Sequence, residues 1–142
     1  MKKSKLFTPV VYDFELIGIV SSAKEHKLAW SLNQTNFFHF IRQEDIQIEF
    51  ADQSKILIGN FLCESDFHKY YLLKNKLNFS NKRQLSHMLG ELPQFDYFLK
   101  IENQLADFDL ETLISSVRRS DALDYILKLE VSNLKHKDNL LF

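Results

Sequence analysis

The stretch Phe95-Asp96-Tyr97-Phe98-Leu99-Lys100-Ile101-Glu102 sets the architecture. Its side chains alternate, with Phe95, Tyr97, Leu99 and Ile101 inward and Asp96, Lys100 and Glu102 outward; Phe98 is the exception. That period of two predicts a strand with one buried face. The period then changes. Leu110, Leu113, Ile114 and Val117 recur at helical spacing over 109–119. Asp107, Asp109 and Glu111 stand at the start of this segment and Arg118 and Arg119 at its end, matching the helix dipole at both ends. Residues 123–131 return to alternation, placing Leu123, Tyr125, Leu127, Leu129 and Val131 on one face of a last strand.

Before this segment, residues 75–94 hold Lys76, Lys82, Arg83, Gly90 and Pro93 and read as a long irregular loop, with a helical turn near 84–89. Earlier still, 67–74, 55–63 and 46–50 read as strands joined by short turns, the pattern of an antiparallel meander. A shorter apolar stretch occupies 37–41, and Gly59 inside 55–63 marks a bulge or a close approach. Ser22-Ala23-Lys24-Glu25 has capping-box spacing and opens a helix that carries Leu28, Ala29 and Leu32 to about Asn33, a residue able to end it in the left-handed region. Residues 11–20 form the first strand. The order β-α-β-β-β-β-α-β predicts an α/β (α+β) two-layer sandwich. Its sheet is mixed, mainly antiparallel, of about five or six strands, with both helices on one face. Residues 1–142 read as a single domain, with a C-terminal segment at 132–142.

Composition narrows the function classes. The 142 residues carry 18 Lys+Arg against 19 Asp+Glu, a net charge of −1, so binding a polyanion by bulk charge is not expected. Thirteen Phe with two Pro exclude collagen-like and disordered readings. Three glycines leave no Gly-rich phosphate cradle, and G-x-G-x-x-G, the phosphate-binding loop and G-x-S-x-G are all missing. Cys63 is the single cysteine, so no internal disulfide forms and a reducing cytosol is expected. Thr8, Pro9 and Asp13 interrupt the apolar run after the basic start too early for a signal peptide, and no stretch has the length of a membrane span. A cytoplasmic protein follows.

The side chains that could carry chemistry are scattered. His26, His39, His68, His87 and His136 show no i, i+4 pair, and none stands at zinc-ligand spacing from Cys63, so no metal and no cofactor is expected. Asp107-x-Asp109-x-Glu111 lacks the glycine and the closing glutamate of a calcium loop. Lys69, Tyr70, Tyr71, Lys74, Lys76, Phe79, Lys82 and Arg83 interleave basic and aromatic groups, a pattern that could bind RNA, with Lys74, Lys76, Lys82 and Arg83 as the phosphate contacts. Leu140-Leu141-Phe142 either docks on the protein's own core or faces a partner. Trp30, Phe79 and Phe142 are the aromatics left over once the strands are assigned.

Leu89-Gly90-Glu91-Leu92-Pro93-Gln94-Phe95-Asp96-Tyr97 resembles the signature of the IPExxxVDY family of small bacterial proteins of the Bacteroidota. The stretch 12–19, the segment Lys27-Leu28-Ala29-Trp30-Ser31-Leu32-Asn33 and the ending Asp138-Asn139-Leu140-Leu141-Phe142 are similar to that family as well. Glu91, Asp96 and Tyr97 match the signature, while Leu89, Gly90 and Phe95 stand for its Ile, Pro and Val. The resemblance implies no established activity. In physical terms Glu91 and Asp96 can accept backbone N–H bonds that fix the loop, and Tyr97 can bury its ring and pair its hydroxyl.

Three functional expectations follow. The first is a non-catalytic interaction or regulatory domain, with Glu91, Asp96, Tyr97, Leu140, Leu141 and Phe142 as candidate contacts and either an unknown protein or a second copy as partner. The second is an RNA-associated module on the Lys69 to Arg83 face. The third is a small enzyme with acids near Glu91 and Asp96.

Overall fold

A computed structural model describes residues 13–49, 55–78, 85–105, 108–135 and 137–142. The elements run β1 (Glu15–Val20), α1 (Glu25–Asn33), β2 (Ile41–Arg42), β3 (Ile46–Glu49), β4 (Lys55–Ile58), β5 (Asn60–Glu64), β6 (His68–Lys74), β7 (Lys76–Asn78), β8 (Leu85–His87), β9 (Tyr97–Asn103), α2 (Leu110–Arg118) and β10 (Tyr125–Leu129). Two 3-10 turns, Val131–Asn133 and Lys137–Leu140, follow. Six strands form one antiparallel sheet in the order β10-β1-β9-β6-β5-β2. β3 with β4 and β7 with β8 form two separate hairpins. The fold is α+β, with two helices beside an open antiparallel sheet.

The two helices cover the same face. Leu28, Ala29 and Leu32 of α1 and Leu113, Ile114 and Val117 of α2 pack on Ile17, Ile19, Leu72, Leu99, Ile101 and Ile126. α2 starts where the carboxylates predict: Asp109 caps it, accepting the Glu111 backbone N–H at 3.1 Å and the Thr112 hydroxyl at 2.8 Å.

The opposite face is covered as well over its central strands. Leu16, Phe98, Leu73 and Leu129 project there and meet Met88, Leu89, Phe95, Val131, Leu134 and Leu140. Phe98 is therefore no exception to the alternation but a member of the second face. Phe95 lies in this second cluster and not with Tyr97, Leu99 and Ile101, because it precedes the strand. Lys100, expected in solvent, is 2% exposed. The reason is tertiary: Met88, Leu89 and Leu92 and the C-terminal segment pack over the face on which strand alternation places Lys100.

Several local expectations are corrected by packing. The capping box is not made. Lys24 is the N-cap of α1 and contributes no side-chain bond. Ser21 is the buried hydroxyl instead, donating to the Ala122 carbonyl and accepting the Ala23 N–H. Asn33 does not end the helix in the left-handed region; Asn36 holds the positive φ, at 66°. The Asn33 amide is used elsewhere, bonding both the N–H and the carbonyl of Phe40. The stretch 55–63 is two strands divided at Gly59, because β4 leaves the sheet to pair with β3. A Cβ on Gly59 would lie 2.6 Å from the Glu25 carboxylate, so this glycine marks a close approach. No helical turn forms at 85–87, which is strand β8.

Gly18 in β1 lies under the Phe95 ring, and a Cβ there would stand 2.6–2.9 Å from three ring carbons. Phe95 is fully buried and cannot swing away. Gly18→Ala is expected to destabilise the protein by about 1–3 kcal/mol, the range for overpacking a filled core. Gly90→Ala, where a Cβ meets nothing within 4 Å, is the control and should change stability by less than ~0.5 kcal/mol. Urea denaturation of the two variants checks this, and equal midpoints would contradict the packing argument.

Candidate functional site

The β5–β6 hairpin brings together side chains that sequence spacing does not connect. Cys63 stands one residue before the end of β5 and His68 starts β6, and the tight reversal puts Cys63 Sγ 3.9 Å from His68 Nε2. Ser65 in the turn holds the other ring nitrogen, with its hydroxyl 2.9 Å from His68 Nδ1. Nucleophile, base and orienting group stand in sequence, the arrangement that nucleophilic catalysis requires. The electrostatics oppose it. Burial pushes the Cys63 thiol above its ordinary pKa, only partly offset by the His39 N–H that bonds the sulfur at 3.3 Å. Burial also pushes the His68 imidazole below its ordinary value. Both shifts favour the neutral pair, whereas an activated thiol needs a lowered pKa and an electropositive setting. His68 stacks on Tyr70 at 4.2 Å, and Cys63 lies in the core beside Phe38 and Phe40. The cluster is built as a packed hairpin end.

A second cluster contains the motif residues. Asp96 Oδ2 accepts the Ser21 backbone N–H at 2.9 Å, and Oδ1 pairs with Lys76 Nζ at 2.9 Å. The Asp96 backbone N–H donates to the Ile19 carbonyl at 2.8 Å. Asp96 thus ties the end of β1 to the entry of β9 and to β7. Tyr97 buries its ring and donates its hydroxyl to the Ala23 carbonyl at 2.6 Å. Burial first, then the Glu25 and Asp96 carboxylates, push its pKa up to about 12, so it remains a donor at neutral pH. Glu91 Oε2 accepts the backbone N–H of Lys135, joining the loop to the C-terminal segment.

Behind these residues lies Asn75, which carried no signal in the sequence. It is completely buried. Its Nδ2 donates to the Leu92 and Phe95 carbonyls at 3.0 and 2.9 Å, and its Oδ1 accepts the Leu89 N–H at 2.9 Å. Its backbone N–H and carbonyl engage Asp96 and Met88. One amide therefore satisfies three buried backbone groups across a chain reversal. Gly90 and Pro93 suggested a turn here, but no sequence rule singles out this particular asparagine.

Lys100 forms a third cluster. Its ammonium lies 3.0 Å from Glu102 Oε2 and is ringed by Phe142 at 4.1 Å, Phe14 at 4.9 Å and Tyr71 at 5.2 Å from the ring centroids. Phe142 also meets Tyr71 edge to face at 5.1 Å. A paired cation under aromatic faces can be held away from water. Leu140 is wholly buried, while Leu141 and Phe142 keep 43% and 45% of their surface exposed. Leu140 thus packs into the core beneath this cluster, and Phe142 lies over the lysine.

The RNA candidates do not converge on one surface among the described residues. Lys82, Arg83 and Phe79 lie outside them. Lys76 is paired with Asp96, Lys74 is exposed at the end of β6, and the Tyr70 ring is 3% exposed in the helix-side core. Glu25 has its pKa raised, chiefly by burial against Gly59, and its Oε2 has no hydrogen-bond partner. No cluster of three or more metal-ligating side chains occurs among the described residues. No helix among them is long and apolar enough to cross a membrane.

Exposed large apolar side chains are spread over several elements, and three of them border the turn before β10 or lie on that strand. The Ser31 and Ser120 hydroxyls, 2.6 Å apart, join α1 to the turn before β10. Trp30, 65% exposed, and Tyr125, 54% exposed, flank this turn, and Leu127, 44% exposed, continues along the edge strand. No protein-family model, curated protein or solved structure matches the chain.

Two measurements test these assignments. Alkylation of Cys63 by iodoacetamide at pH 7.5 should be at least ~10-fold slower in the folded protein than in urea, since burial withholds the thiolate. Labelling at the unfolded rate would reveal an activated thiol. Asn75→Ala should lower stability by about 2–4 kcal/mol, because it leaves one N–H and two carbonyls without their bonds. A loss under ~1 kcal/mol in urea unfolding would show that water replaces the amide.

Proposed function

We propose that this protein is a non-catalytic interaction domain of a regulatory kind, acting in the cytoplasm, whose contact surface runs along the β10 edge and the adjoining turn. The exposed Tyr125 and Leu127, two residues apart on one face of the edge strand, carry the reading, with the exposed Trp30 on the helix across the adjoining turn. Exposed Tyr and Trp are residue types that interface centres favour. The groups that could perform chemistry support it too, since Asp96, Glu91 and Tyr97 are each engaged by backbone groups. Cys63 and His68 are held neutral by burial. Membership of the IPExxxVDY family belongs to the same proposal and rests on the similar stretches 12–19, 27–33, 89–97 and 138–142, which imply no activity of their own.

The test compares three immobilised proteins in cytosolic extract: the wild type, Trp30→Ser/Tyr125→Ser, and the control Leu57→Ser, altered at an exposed leucine in β4. A stoichiometric partner retained by the wild type and the control but lost from the double variant is the expected result. An identical set of bound proteins on all three, together with no self-association of the wild type, would overturn the reading.

A further inference from the structure

We infer that the partner on the β10 edge is a second copy of this chain, added antiparallel about a two-fold axis at Ile126 to extend the sheet from six strands to twelve. The inference rests on the interaction reading above and names its partner. β10 is the last strand on its side of the sheet, paired only with β1 among the described residues. An open strand edge is completed by another strand, which satisfies its outward backbone groups. The occupant is therefore extended backbone, and the side chains of β10 select its sequence.

Two-fold pairing allows few registers, because residues placed opposite each other must share a face. Centring on Leu127 sets Asp124 against Glu130 of the second copy, and centring on Lys128 sets that lysine against itself; like charges opposite each other are destabilising. Centring on Tyr125 sets Asp124 against Ile126 and pairs no charge. Centring on Ile126 sets Asp124 opposite Lys128 of the second copy twice, and Tyr125 opposite Leu127 of the second copy twice. Asp124 and Lys128 are both exposed, as are Tyr125 and Leu127. This register alone covers the exposed apolar pair and matches the charges. A lysine on an edge strand ordinarily discourages pairing. Here Asp124 of the second copy stands opposite Lys128 and joins the carboxylates of Glu15 and Glu130, which lie 3.7 and 3.3 Å from its ammonium. A strand pair of this length buries less than the ~1,200 Å² of a stable interface, so the dimer is weak, with a dissociation constant on the order of 100 μM.

Sedimentation velocity of the full chain from about 10 μM to about 1 mM tests the inference. The wild type should pass from monomer to dimer over that range. Leu127→Lys, a change at an exposed site that leaves the fold intact by circular dichroism, should remain monomeric. Asp124→Lys, which opposes two lysines across the seam, should weaken association at least tenfold. A wild type that stays monomeric to about 1 mM overturns the inference, as does either variant associating as tightly as the wild type. A monomeric wild type that still retains a Trp30- and Tyr125-dependent partner from extract would sink the second-copy inference alone. Loss of both would remove the interaction reading with it.

Discussion

The buried amide of Asn75 is the constraint on which the second layer of this protein depends. A chain that leaves β6 must reverse, pass through the β7–β8 hairpin and return into β9. Every backbone polar group it buries on the way needs a partner. Asn75 meets three of those needs with one side chain and two more with its own backbone. That positions Met88, Leu89 and Phe95 over the sheet, and Phe95 in turn settles on the bare backbone of Gly18. Burying each of these side chains stabilises the fold by about 1.5–3 kcal/mol, but only if the loop beneath them is held.

A sheet covered on both faces over its central strands has consequences for its polar residues. Lys100 alternates onto the second face by strand geometry, and the fold keeps its charge by pairing it with Glu102 and roofing it with Phe14, Tyr71 and Phe142. Asp96 and Glu91 are drawn into backbone bonds at the loop's two attachments. The same economy explains why the Cys63–His68–Ser65 array, geometrically suggestive, remains a packed hairpin end. Its surroundings remove water without supplying a cation, so neither ionised form is favoured. The polar groups at these sites thus serve the fold.

Much of the fold was legible in one dimension. The alternation of β9, the amphipathic spacing and charged ends of α2, and the order of strands and helices are local patterns, and local physics produces them. The failures have a common cause. Ser22 and Glu25 have capping spacing, yet the Glu25 carboxylate lies over Gly59, 34 residues away. The apolar run 55–63 divides because half of it pairs with β3. Tyr70, counted among possible base-stacking rings, faces the core because the helices and Phe38 and Phe40 cover its side of the sheet. Residues 85–87 take strand geometry from their pairing with β7. In each case a long-range partner outweighed a local preference of about 1 kcal/mol or less.

What the sequence determined by itself was the class of architecture and a set of exclusions. Periodicity selects helix or strand residue by residue, and scarce glycine forbids a phosphate cradle wherever the chain goes. What only the tertiary structure decided was which face of each strand meets water and which side chains become neighbours. Lys100 and Asn75 are buried because segments far apart in sequence close over them. Among the described residues β10 likewise ends the sheet because β1 lies between it and β9. Such relations depend on contacts between distant residues, and no local pattern encodes them.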